Sequence, residues 1–245
     1  MFLKLSPFLY SLVFFLGLET LVFKSDFIFY ILFFLFIFSL FGGRHLGKKW
    51  LYSSLPVLFN LSAIALLYLI TLPYEQQIFI ILATFMYYLA MLGAYRLGQY
   101  QKDQTANGMN MAATFTALFF SYTGIYGLYL NFLVPLYILM LAYLFVTAFL
   151  TYQNYSIISE NKRIVWIYSL LISLVMSEII WSINFWPFGY LTTGTIALIL
   201  YYILWDLIRN YFLNQLSRRR VVANMIFLSI LIVLILLSSK WIPVL

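Results

Sequence analysis

Nine apolar runs follow one another along the chain with only short polar connections between them. They lie at about residues 5–23, 26–42, 51–72, 77–95, 109–129, 134–152, 164–186, 189–208 and 221–239. A helix needs about 20 apolar residues to cross a hydrocarbon core, with a range of about 17–25, and the runs meet that length. They are continuously apolar rather than alternating, which excludes barrel strands. Hydrophobic residues make up 65% of the chain and charged residues 9%, against about 45–50% and about 25% in a soluble domain. The expected fold class is therefore all-α: a polytopic membrane helix bundle of eight or nine transmembrane helices, a single transmembrane domain over residues 1–245. The fifth and sixth runs are the least clearly divided, and the chain is expected to turn tightly between Asn131 and Pro135. The first run exceeds the h-region of a secretory signal, carries Glu19 and is followed by Lys24-Ser25-Asp26. It is expected to remain as an uncleaved span.

The charges supply an independent test of that count. With the N-terminus inside, one side receives Lys4, Arg44, Lys48, Lys49, Arg96, Lys102, Lys162, Arg163, Arg209, Arg218, Arg219 and Arg220. The other side receives only Lys24 and Lys240. Cytoplasmic loops carry an excess of Lys and Arg, so this asymmetry predicts an N-inside, C-outside protein of the cell (cytoplasmic) membrane. Tyr74, Trp186 and Trp241 fall at predicted outer ends, and Trp50, Tyr100, Tyr152, Trp166 and Tyr211 at inner ones, as interfacial anchors do. The net charge of +7 is explained by topology, and nucleic acid is not expected as a partner.

Sliding the chain on itself by 114 residues pairs Lys48-Lys49 with Lys162-Arg163, Pro73 with Pro187, and Tyr87-Tyr88 with Tyr201-Tyr202. The same shift pairs Ala83 with Ala197, Gln101 with Gln215, and Asn110-Met111 with Asn224-Met225. This spacing suggests a 1+4+4 arrangement in which residues 26–130 and 140–243 are parallel repeats.

Polar residues inside the spans are the candidates for function. Glu178 leads them, within the seventh run and near its middle, where a carboxylate costs about 2.5–3.5 kcal/mol on insertion scales. Trp181, Ser182 and Phe185 share its face by three- and four-residue spacing, and Ser177 and Asn184 are near in sequence. Glu178 is expected either to act in a cavity, with Trp181 and Asn184, or to hydrogen-bond a neighbouring helix as packing glue. Ser177, Glu19 and Asn60 are candidate packing partners. Glu19 is expected to snorkel toward the interface, and Asp206 to pair with Arg209 along its own helix. Asn60, Asn110 and Asn224 can join helices. Two basic clusters, Arg44 with Lys48 and Lys49, and Arg209 with Arg218, Arg219 and Arg220, can meet anionic lipid headgroups.

Much chemistry is excluded. The chain has no cysteine and one histidine, so neither a metal site nor a cofactor is expected. No H-E-x-x-H, G-x-S-x-G or Walker pattern occurs, and Gly42 to Lys49 lacks the spacing of a phosphate loop.

The string Ser177-Glu178-Ile179-Ile180-Trp181, then Asn184-Phe185-Trp186-Pro187-Phe188-Gly189 and the Tyr201-Tyr202 span, resembles uncharacterised multi-pass membrane proteins of small-genome, candidate-phylum bacteria. That resemblance covers about residues 160–245 and implies a helical membrane bundle without an attached activity. The expected role is a non-enzymatic scaffold, assembly or partner-binding membrane protein, whose partners are the lipid bilayer, other membrane proteins or a second copy. The alternative is a transporter of small solutes or lipids, with Glu178 as its coupling or binding residue.

Overall fold

The computed structural model describes residues 5–24, 27–132 and 134–239, with the Arg220 side chain left out. Among these residues the secondary structure is helical: α1 (Ser6–Phe23), α2 (Ile28–Gly47), a 3₁₀ turn (Trp50–Ser53), α3 (Ser54–Leu69), α4 (Pro73–Gln99), α5 (Gln104–Phe132), α6 (Leu136–Ile158), α7 (Lys162–Ile183), α8 (Tyr190–Phe212) and α9 (Arg218–Ser238). Each of the nine expected runs holds one α-helix.

Eight of these helices are long and apolar enough to cross a membrane. The exception is α5, which has 29 residues but intersperses Asn110, Thr114, Thr116, Ser121 and Thr123. Several of those hydroxyls bond back within the helix: Thr114 donates to the Asn110 carbonyl at 2.8 Å, Thr116 to Ala112 at 3.0 Å and Ser121 to Ala117 at 2.7 Å. Such back-bonding lets a hydroxyl sit in an apolar helix without a stranded donor. Helices α4 and α5 also begin earlier than their apolar runs. Pro73 opens α4, its missing N–H being one of the amides a helix start leaves unpaired. Asp103 accepts from the Ala106 amide at 3.1 Å and so caps α5. The turn after α5 is shorter than expected, because Asn131 still lies in the helix, its amide donating to the Gly127 carbonyl at 2.8 Å.

The chain divides into two compact units, Met1–Ser121 and Tyr122–Leu245, with the division inside α5. In the first unit α1 packs on α4, and α2 on α3 and α4. Ser11, Phe14, Leu18 and Leu21 make the buried stripe of α1, and Phe14 stacks on Tyr87 at 4.3 Å between centroids. A buried polar node ties α2, α3 and α4 together. Asn60 Nδ2 donates to Ser39 Oγ at 2.7 Å and to the Leu35 carbonyl at 2.9 Å. Ser39 in turn shares a 2.8 Å hydrogen bond with the Tyr87 hydroxyl. Asn60 thus ties α3 to α2 and, through Ser39, to α4. Gly43 permits the close approach of α2 to the 3₁₀ turn, since a Cβ there would lie 2.6 Å from Ser53 Cα.

In the second unit α6 packs against α7, α7 against α8, and α8 against α9. Tyrosines again join the helices. Tyr122 and Tyr143 stack at 4.6 Å, and Tyr143 donates to the Tyr122 carbonyl at 2.6 Å. The Tyr122 hydroxyl pairs with Thr147 at 2.7 Å, and that of Tyr201 with Thr151 at 3.1 Å. Tyr155 donates to the Trp205 carbonyl at 3.0 Å, and Trp205 Nε1 to Asn154 Oδ1 at 3.2 Å. Helix α9 buries none of its apolar window.

Large apolar side chains stand exposed along most helices, among them Phe29, Phe33, Ile81, Phe85, Tyr137 and Phe145. Apolar surface of this extent needs a lipid solvent.

Candidate functional site

The second unit carries the leading candidate on α7, and the rotation of that helix decides what the candidate can do. Asn161 starts α7 by accepting from the Ile164 amide at 3.3 Å. Val165, Ser169, Ile172, Ser173, Met176, Ser177, Ile180 and Ile183 form its buried side. Within that side Ser169, Ser173 and Ser177 recur every four residues. Small residues at this spacing let helix backbones approach closely in a membrane, and they lie on the side that α7 buries against its neighbours. A serine at every fourth position is the sequence signal of this buried side.

With the serines turned inward, Glu178 is turned outward. At about 100° per residue it stands roughly 160° from both Met176 and Ile180. Glu178 is exposed, as are Leu170, Leu171, Leu174, Trp181 and Phe185. The shared face predicted for Glu178, Trp181, Ser182 and Phe185 exists, with Trp181 and Phe185 edge to face at 5.5 Å. Its carboxylate has no hydrogen-bond partner among the described residues, and the Ser182 hydroxyl bonds only the Glu178 backbone carbonyl, at 3.2 Å.

Three expectations about this residue change accordingly. Ser177 lies on the buried side of α7 and makes no hydrogen bond to the carboxylate. Asn184 ends the helix as its C-cap rather than lying in the span. Glu178 lies five residues before Ile183 in a 22-residue helix, about 8 Å beyond the helix midpoint at about 1.5 Å per residue. It therefore sits nearer the α7–α8 end than the middle.

Glu19 and Asp206, by contrast, have partners on other helices. Glu19 accepts from Gln77 Nε2 at 3.2 Å, across from α1 to α4. Asp206 accepts from Asn224 Nδ2 of α9 at 3.0 Å, in place of the expected pair with Arg209, whose guanidinium lies 5.2 Å from the Trp205 ring. Asn224 therefore joins helices as expected. Asn110 does not: both side-chain polar atoms are buried without a partner among the described residues. The one ion pair among those residues is Arg96 with Asp103, at 2.8 Å. The Ala106 amide, and then Arg96, hold the Asp103 carboxyl below the usual carboxylate range.

The basic clusters end helices. Arg44 lies over the Trp50 ring at 4.1 Å, and Lys48 caps α2 in the left-handed region at φ 60°. Lys49 precedes the 3₁₀ turn, and Arg218 and Arg219 are exposed at the start of α9. Trp241 and Lys240 lie outside the described residues.

The buried hydroxyls of Tyr87, Tyr122, Tyr143, Tyr155 and Tyr201 pair with a serine, a threonine or a backbone carbonyl of another helix and so hold helices together, whereas those of Ser53, Thr123 and Ser169 are buried without a partner among the described residues. No group of three or more His, Cys, Asp and Glu able to hold a metal ion occurs among the described residues.

Residues 43–238 match the model of a family described as a protein of unknown function, DUF5656. Comparisons with curated proteins and with solved structures gave no match.

Proposed function

The chain belongs to the DUF5656 family of proteins of unknown function, and from that premise we propose that it is a non-enzymatic integral membrane protein that docks a partner membrane protein through the outward face of α7. One observation carries this reading: Glu178 is exposed and unpartnered on a helix apolar enough to cross a membrane. A carboxylate facing hydrocarbon is unfavourable, and a neighbouring helix that offers a cation or an amide donor at that depth removes the cost. Leu174, Trp181 and Phe185 supply the apolar contact around it. A second copy of the same face would set carboxylate against carboxylate, so the complement is a different helix. Transport would require Glu178 to line a cavity, and an exposed position supports docking instead.

The loop charges support an N-inside orientation in the cytoplasmic membrane, with Glu178 toward the outer leaflet. The parallel repeat draws support from one recurring bond. Tyr87 and Tyr201, paired by the 114-residue shift, each tie the third helix of a repeat to its first, through Ser39 and Thr151.

Photo-cross-linking in the native membrane tests the docking. A photoreactive residue at position 181 gives one discrete protein adduct, and Glu178→Leu abolishes it. Lipid adducts alone, or a protein adduct indifferent to Glu178, would sink the reading.

A further inference from the structure

A second surface lies on the hairpin of α1 and α2, most of which precedes the residues matched by the family model. Gly17, Thr20 and Lys24 recur along α1 at three- or four-residue spacing, and Phe27, Tyr30 and Phe34 do the same at the start of α2. They line an open, mainly apolar groove of about 590 Å³, within the range of about 300–1,000 Å³ that small-molecule sites occupy.

Local chemistry explains the groove. Gly17 is the point where α1 meets α2, since a Cβ there would lie 2.7 Å from Leu35 Cδ1. Thr20 turns its hydroxyl back to the Gly17 carbonyl at 2.8 Å, which leaves its methyl group for the floor. Exposed Phe27, Tyr30 and Phe34 form the wall. From Val13 to Lys24 the groove runs about 16 Å along the helix, close to half of a hydrocarbon core about 30 Å thick. It has the length of one leaflet.

Its ends differ in character. Lys24 closes α1 at the helix turn, exposed and with no ion pair among the described residues. Tyr30, near the same end, is exposed, and its hydroxyl has no partner among those residues. Under the orientation drawn from the charges, Lys24 stands on the cation-poor side, so the positive-inside rule does not account for it.

We propose that this groove holds one acyl chain of an anionic phospholipid, with the lipid phosphate at the Lys24 ammonium and the Tyr30 hydroxyl. The apolar floor and wall take the chain, and the cation selects the headgroup. The surface is separate from the α7 face and does not depend on it.

The full-length protein in phosphatidylcholine nanodiscs provides the test, with trace phosphatidylglycerol or phosphatidylcholine carrying a photoreactive group in the acyl chain. The phosphatidylglycerol probe labels residues 13–34 about fivefold more than the phosphatidylcholine probe, the ratio that about 1 kcal/mol per headgroup charge produces. Lys24→Gln brings the two probes level. Thr20→Phe, which fills the floor and leaves Lys24 in place, lowers labelling by both. Equal labelling of the wild-type hairpin by both headgroups would overturn the proposal. So would hairpin labelling no greater than that of the exposed helix α9.

Discussion

Replacing Asn60 with leucine tests how the first unit is held together. Asn60 is buried, and Nδ2 makes two interhelical hydrogen bonds, to Ser39 Oγ at 2.7 Å and to the Leu35 carbonyl at 2.9 Å. Hydrogen bonds between membrane helices average about 0.6 kcal/mol and reach about 1.7. Leucine has the same number of side-chain heavy atoms as asparagine and the same branch at Cγ, in a larger volume, so no cavity opens and the loss comes from the bonds, with crowding adding to it. It strands no polar atom, because Ser39 keeps Tyr87 at 2.8 Å and the Leu35 carbonyl remains an acceptor within α2. Asn60 Oδ1, which has no partner, leaves with the side chain. The expected destabilisation is about 1–2 kcal/mol. Reversible unfolding in mixed micelles, followed by circular dichroism as the denaturing detergent rises, measures it. Ser39 mediates between Asn60 and Tyr87, so Asn60→Leu and Tyr87→Phe should also be non-additive, by at least about 0.5 kcal/mol. A change below about 0.5 kcal/mol for Asn60→Leu would refute the claim that this node holds α2 to α3.

Other perturbations separate tight packing, charge and the docking face. Gly43→Ala places a methyl group 2.6 Å from Ser53 Cα, and the same unfolding assay should show a loss of about 1–3 kcal/mol, as overpacking produces. The Asp103 carboxyl is held below its usual range, so its contribution is complete above the unfolded value of about 4 and disappears as pH falls through the lower folded value. Stability measured across pH should show Asp103→Asn below wild type near neutrality, with the two curves converging at acid pH. Glu178→Leu should leave the isolated protein unchanged within about 0.5 kcal/mol, or more stable, because the carboxylate bonds nothing within the chain. A marked loss would mean that Glu178 is packing glue.

The nine helices were legible because each apolar run is bounded by charge, proline or glycine, and lipid leaves the backbone little choice but a helix. The helix extensions at Pro73 and Gln104 were harder to see. Their first residues are polar, and a capping carboxylate such as Asp103 continues a helix past its apolar run. Glu178 was legible as an anomaly but not in direction. Its orientation follows from which face of α7 is buried, and the signal for that was Ser169, Ser173 and Ser177 rather than the charged residue itself. Asp206 shows another limit of local spacing. Arg209 is three residues away on the same helix, yet Asn224 from α9 supplies the hydrogen bond, and nothing local to α8 announces it.

Both proposed surfaces rest on nine crossings with the basic loops on one side, and α5 is the crossing whose polar content puts it most to the test. The chain has no cysteine, so single cysteines labelled with a membrane-impermeant maleimide report sidedness without a background signal. Cysteines at positions 102, 160 and 216 are predicted to react only after the membrane is permeabilised, and those at 75, 134 and 189 in intact cells. Labelling of 102 and 134 from the same side would show that α5 does not cross, and would invert every loop that follows it.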